Sequence, residues 1–391
     1  MTVSTYLQHP TVARAGTSSL SNAGWLALRF LDLPGRTLMT GLICACLLTQ
    51  TRAALPQSDG SEFVDLEKLS DRVVLAYWVG MDRRCNLTAI RTVKGLVIID
   101  TEMSPRIVGP IKEKLERTFG RSDWVYVINT HAHDNHPGGN SLFKGAVIVG
   151  HQNLPGDMQW IVRRQTEPEW KNREIERADK YMQSLRAGLP RMAGRSAEET
   201  RMAREEIKFW EFHTQDLREG YAVVKPSLTF TNERTLDLGD VQLELVFFGR
   251  GHSLSDTLVY IPQEKLLVSG GILYQRAHFP EIGEQSTLED VRRFLTVLDR
   301  FLALDVQIDH VVPAHSPPLL KSDLTPVRDY YQRMLAGVQT AQRQGLTLDQ
   351  AKPRLAATRF PAFRDRPPGV WSHGMHERNL RNLWRIVQEK Q

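Results

Sequence analysis

The chain has 391 residues, 41% hydrophobic and 24% charged, enough apolar side chain for a large core and too much for general disorder. Its net charge is +5, and residues 1–54 hold four arginines (Arg14, Arg29, Arg36, Arg52) against Asp32, so without them the balance falls to +2 and gives no support to nucleic-acid binding. Three cysteines, two of them Cys44 and Cys46, exclude a disulfide-stapled scaffold and a zinc site built of cysteines alone.

The first segment reads as a leader. Arg36 is followed by the uncharged stretch from Thr37 to Leu48, and then by Thr51-Arg52-Ala53-Ala54. The apolar run is shorter than the ~20 residues a membrane-spanning helix needs. A basic residue, a short apolar run and small residues at its end match a secretory signal peptide. Residues 1–54 are therefore expected to be a lead and signal peptide. The mature chain is then periplasmic or secreted, with no stable membrane span.

Strands are predicted at 72–79, 87–90 and 95–100, with Lys94-Gly95 turning between the last two. Ile107, Ile111, Leu115 and Phe119 recur every four positions and predict a helix over 105–119. The continuous apolar run Trp124–Asn129 predicts a strand covered on both faces, and 146–149 predicts another. Residues 155–219 are charged and carry Ile175, Ala178, Met182, Leu185 and Leu189 at helical spacing, with a capping-box signature at Ser196 to Glu199. They read as an inserted helical hairpin. Met158, Trp160, Trp170, Met182, Phe209 and Trp210 in it are mainly packing residues, some of them candidates for an apolar wall over a site. Strands return at 227–248, 257–261 and 265–269. A helix over 287–303 is predicted from a capping box at Ser286 to Glu289, then a strand at 309–313. Residues 321–391 form a mostly helical C-terminal extension broken by Pro361 and Pro367-Pro368. Alternating strands and helices point to α/β layers.

Three histidines fall within His131-Ala132-His133-Asp134-Asn135-His136, between a strand and Pro137-Gly138-Gly139. Strand ends feeding glycine-rich loops expose chemical groups in α/β folds. Catalytic zinc takes three protein ligands and keeps an open position, and His131 and His133, two apart, can both aim at one ion.

The stretch Asn129–Asn140 resembles the metal-binding loop of the metallo-β-lactamase superfamily, His-x-His-x-Asp-His followed by glycines. Other segments match that family in order: Ile98-Ile99-Asp100-Thr101, Gly251-His252-Ser253 through Asp256, Lys265 to Gly271, and Val312-Pro313-Ala314-His315. The resemblance implies a four-layer αβ/βα sandwich over 65–320, interrupted by the helical insertion at 155–219. It implies zinc at His131, His133 and His252, with His136 and His315 at the positions of a second ion. Two departures weaken that second site: its usual aspartate is Asn135, and its usual aspartate or cysteine position is Gly271. One tightly held Zn2+ is expected, with a second weak or absent. Asp134 and Asn135 are the candidate catalytic residues. Asp134 is a candidate base, although alternation along the loop turns it away from the metal.

The implied function is an exported zinc-dependent hydrolase acting on a small molecule, through zinc-activated water whose pKa falls from 15.7 to about 7. The bond cleaved would be an ester, thioester, lactone, amide or sulfate ester, with a β-lactam as one candidate. Against a β-lactam, the lysine that grips the drug's carboxylate in some members falls at Gln275, beside Arg276. The alternative is a non-catalytic or weakly active zinc- or ligand-binding member with a degraded second site. His151 and His310 read as packing or surface residues, and His373 and His376 as solvated helix-capping residues. Cys85 has no histidine near it in sequence to make it a nucleophile.

Overall fold

The structure is a computed structural model that describes residues 59–79, 85–192, 194–273, 277–365 and 373–389. The expected signal peptide and the Gln275–Arg276 position lie outside the described residues. Alternation of apolar side chains along the strands builds two sheets. The first contains β1 (Val64–Lys68), β2 (Val73–Trp78), β3 (Leu87–Thr92) and β4 (Gly95–Ile99). Helix α1 (Pro105–Phe119) then leads to β5 (Trp124–Ile128) and β6 (Val147–His151).

The insertion follows β6 as α2 (Leu154–Asp157), α3 (Gln159–Thr166), α4 (Pro168–Gly188) and α5 (Ala197–Glu219). The capping box of Ser196 and Glu199 opens α5 as predicted. Strand β7 (Leu228–Phe230) completes the first sheet, in the order β1-β2-β3-β4-β5-β6-β7. Its first four strands are antiparallel, and β4 through β7 run parallel.

The second sheet takes β8 (Glu233–Asp237), β9 (Gln242–Gly249), β10 (Asp256–Ile261) and β11 (Leu266–Gly270). Helix α6 (Leu288–Leu302) precedes its last strand, β12 (His310–Pro313), and the order is β12-β11-β10-β9-β8. The C-terminal part adds α7 (Leu324–Arg343), α8 (Leu348–Ala351) and α9 (Met375–Gln388).

Period-two alternation decides the layers. Val73 and Leu75 of β2, and Val97 and Ile99 of β4, face Leu243, Leu245, Val259 and Val268 of the other sheet in one buried cluster. Their neighbours Val74, Ala76, Trp78, Leu96 and Ile98 turn outward onto Ile107, Ile111 and Leu115 of α1 and Phe209 of α5. Phe248 and Leu258 turn outward onto α6 and α7, where Phe248 and Phe294 stack 4.7 Å apart. Helices therefore cover both outer faces, which is the expected αβ/βα sandwich.

Four details differ from the sequence reading. Strand β1 was not expected; its Asp65, Glu67 and Lys68 conceal a short edge strand. The span 227–248 is three strands, separated by turns at 231–232 and 238–241. The cap of α6 is one residue later than predicted: Thr287 and Asp290 form the box, while the Ser286 hydroxyl donates to the Arg250 carbonyl. His376 is buried, not solvated, between the Tyr330 hydroxyl and the Leu355 carbonyl. Among the described residues, no helix is long and apolar enough to cross a membrane.

Candidate metal centre

Loops after β4, β5, β9, β11 and β12 meet at one edge of the sandwich. Their junction is held by backbone contacts between the sheets: Thr257 N–H donates to the Thr130 carbonyl, and Asn86 N–H to that of Ala314. The histidine loop bends back onto the segment after β4. Thr101 donates its N–H and hydroxyl to the His136 carbonyl, and Gly139 N–H donates to Thr101. The approach is close enough to require glycine: a Cβ on Gly138 would lie 2.0 Å from the Met103 oxygen, and one on Gly139 2.4 Å from the Thr101 oxygen.

His131, His133 and His252 come together with one ring nitrogen from each within 4.8 Å of the others. Their outward nitrogens explain the arrangement. Thr130 Oγ1 donates to Asp100 Oδ2 at 2.7 Å, so it accepts from His131 Nδ1 at 3.0 Å. A carboxylate only accepts, so His252 Nδ1 donates to Glu281 at 3.0 Å and His136 Nδ1 to Asp100 at 2.8 Å. Each of these three rings thus keeps its lone pair on Nε2. Histidines that ligate metals are held by such outer hydrogen bonds. Nε2 of His131 and of His136 are buried with no hydrogen-bond partner. Orphaned buried nitrogens are costly and call for a ligand, and a zinc ion fits this all-imidazole set.

Electrostatics favour the same species. Burial, followed by mutual repulsion among the neighbouring rings, holds His131 and His133 well below the usual histidine pKa, so both are neutral near pH 7. Burial opposes charge on His252 as well, but the hydrogen bond and charge of Glu281 overcome it and raise that ring's pKa. The turn carrying His252 is tied by Asp256, which accepts from the backbone N–H of Gly251, His252 and Ser253. Burial pushes the Asp256 carboxyl up to about 6. Asp157 of the insertion accepts from Leu254 N–H and the Ser255 hydroxyl, and so braces the turn from the other side.

Glu281→Ala should weaken zinc binding about 10–100-fold, because His252 then loses its orienting acceptor. Competition against a chromophoric chelator measures this, and an unchanged affinity would mean that other contacts aim the ring.

The remaining expected residues are placed as follows. Asn135 Nδ2 lies 3.2 Å from His315 Nε2, and the His136 and His315 rings are 5.6 Å apart. Asp134 does not join the clustered histidines: Arg164 of α3 donates to its carboxylate, which also accepts the Asn135 N–H. A base role for Asp134 would require breaking that part-buried ion pair. Arg164 in turn donates to Glu174 at 2.6 Å. A Cβ at Gly271 would fall 2.0 Å from His252 Cδ2, so the space a side chain would take there is occupied by the ring. His151 stacks on Phe247 and bonds the Thr231 carbonyl, apart from this cluster.

Of the expected wall residues, Met158 and partly buried Trp160 pack with Ala132 of the histidine loop. Phe209 and Trp210 instead join Trp78 on the outer face of the first sheet.

Glu281 was missed in sequence, and Cys85, set aside for want of a histidine nearby in sequence, has one in space. Glu281 lies 29 residues from His252 with no motif to mark it. Cys85 Sγ lies 3.4 Å from His136 Nδ1, across 51 residues, and with Asp100 and His136 forms a second buried group of ligand-type atoms.

The family described as the metallo-beta-lactamase superfamily matches residues 80–315. The metallo-beta-lactamase type 2 of Bacillus sp. (strain 170) is 24% identical over 241 residues, 62% of this chain and 70% of the relative. Among solved structures, the stereoselective inverting sec-alkylsulfatase Pisa1 from Pseudomonas sp. aligns with a TM-score of 0.52 at 17% identity. That alignment covers 82% of this chain and 50% of the sulfatase, so the chain spans half of that protein's length. A metallo-beta-lactamase from Pontibacter korlensis aligns with a TM-score of 0.46 at 18% identity, covering 69% of this chain and 99% of the other.

Proposed function

The chain belongs to the metallo-beta-lactamase superfamily, and from that premise we propose that it is an exported zinc-dependent hydrolase of a small molecule. The observation that carries this reading is the convergence of His131 and His133 from the loop after β5 with His252 from the turn after β9, the first two neutral by burial. These three residues would hold the ion. Zinc held by such a set supplies Lewis acidity and makes water acidic enough to ionise near pH 7.

The protein's own groups do the rest. Thr130, Glu281 and Asp100 orient the rings of His131, His252 and His136. Asp134, fixed by Arg164, accepts the Asn135 N–H and so sets the position of that residue. Asn135 presents a neutral amide beside His315, a hydrogen-bond donor suited to an anionic group of the substrate. His136 and His315, without an anionic partner from Asn135 or Gly271, would hold a second ion weakly at the usual position. The segment after Arg36 supports export to the periplasm or beyond.

The scissile bond is proposed to be an ester, thioester, lactone, amide or sulfate ester. The names of the Bacillus relative and of the Pseudomonas sulfatase fit a β-lactam and a sulfate ester respectively. A second reading, a zinc-binding member without turnover, is favoured by Asn135 and Gly271. Assay of the zinc-loaded chain against a cephalosporin, a thioester, a lactone and a secondary alkyl sulfate separates the two. Hydrolysis of at least one, lost on chelation and restored by zinc, is expected. Stoichiometric zinc with no turnover across the panel would overturn the hydrolase and leave the binding protein.

A further inference from the structure

Behind the histidine cluster, on the far side of the His136 ring, three more ligand-type atoms converge from three separate segments. Cys85 precedes β3, Asp100 follows β4, and His136 closes the histidine loop; their Sγ, carboxylate oxygen and ring nitrogen all lie within 4.8 Å of one another. All three residues are at most 2% exposed. Sγ is 3.4 Å from His136 Nδ1, which is itself 2.8 Å from Asp100 Oδ2. The segments are fixed from outside the group. Cys85 N–H donates to Glu102 at 2.9 Å, and the Asn86 amide donates to the carbonyls of Pro313 and Ser316, both at 2.8 Å. Asp100 sits at φ 64 and Glu102 at φ 52, a left-handed conformation that is costly for residues with a side chain. At Asp100 that backbone aims the carboxylate at Thr130 and His136.

We propose that Cys85, Asp100 and His136 form a second metal site, which takes a borderline divalent cation through one thiolate, one carboxylate and His136 Nδ1. A thiolate with an imidazole selects zinc-like ions over magnesium or calcium. The site differs from the position expected for a second ion, which uses the other face of His136 together with His315. The two anionic donors missing at Asn135 and Gly271 are here supplied from Cys85 and Asp100. A ring that gives Nδ1 to this cation carries its proton on Nε2, so it leaves the opposite site. Binding replaces the Cys85 thiol proton, which goes to solvent, and moves the His136 proton from Nδ1 to Nε2; no oxidation state changes. The inference does not depend on hydrolytic turnover.

Cobalt(II) added to the metal-free full chain is the probe, because thiolate coordination gives a charge-transfer band in the near ultraviolet that imidazole and carboxylate do not. The band is expected in the wild type. It should persist in His133→Ala, which impairs only the three-histidine centre, and in the Cys44→Ser/Cys46→Ser variant, where Cys85 is the sole thiol. It should vanish in Cys85→Ser, with the loss of one bound equivalent. Absence of the band in the wild type, or its survival in Cys85→Ser, overturns the site. The double variant leaves Cys85 untouched and stays decisive if Cys85→Ser does not fold. Failure of the hydrolase reading shows differently, as absent turnover with the band intact.

Discussion

Replacing His131, His133 or His252 by alanine should each remove one equivalent of tightly bound zinc and abolish the proposed turnover. Three imidazoles leave no ligand to spare at a site that keeps one position open. Among the described residues, the positions where an anionic donor is expected offer no replacement ligand. Asp134 is engaged by Arg164, Asn135 offers a neutral amide, and Gly271 has no side chain. The loss should exceed the about 10–100-fold expected from an outer-sphere change such as Glu281→Ala. Metal per chain after dialysis, measured by mass spectrometry, and turnover on the best substrate of the panel are the readouts. Circular dichroism establishes that each variant is folded. Full metal and full activity in any one of the three would remove that residue from the centre.

Local signals in the chain foretold local structure. His131, His133 and His136 are legible because a short loop after an apolar strand leaves little choice about where its side chains gather. The helix 105–119 follows from one apolar stripe that the sheet then covers. The cap of α6 shows how such reading slips: Ser286 and Thr287 are chemically alike, and only the fold assigns Ser286 to the Arg250 carbonyl. His376 looked solvated beside polar neighbours, yet α9 buries it against Tyr330. What stayed illegible are pairings made by tertiary structure alone. Cys85 with His136, Arg164 with Asp134, and Glu281 with His252 join segments with no shared periodicity or motif. These partners orient the histidines or fix their loop, so the candidate ligands were visible before the groups that aim them.

Gly271 reads in sequence as a loss, an empty place where relatives supply a metal ligand. In the structure it is a requirement of the His252 ring. The ring lies across the glycine so closely that an added Cβ would sit 2.0 Å from Cδ2 and 2.7 Å from Nε2. No bonded geometry absorbs that overlap, so Gly271→Ala must displace either the ring or the end of β11. The ring is held from behind by Glu281, and its turn by Asp256 and Asp157, so movement breaks hydrogen bonds whichever side gives way. Overpacking of this kind costs about 1–3 kcal/mol, and a displacement of order 1 Å at a reacting centre costs about 100-fold in rate. Gly271→Ala is therefore expected to lower the thermal midpoint and weaken zinc binding together, and to cut turnover about 100-fold. Gly271→Cys should do the same rather than restore a second-site donor, because its Cβ meets the ring before its sulfur reaches an ion. Calorimetric zinc titration and thermal unfolding of the two variants decide the matter. If Gly271→Cys instead bound a second zinc ion at wild-type stability, the glycine would be a deleted ligand after all, and His252 would have room that the present packing denies it.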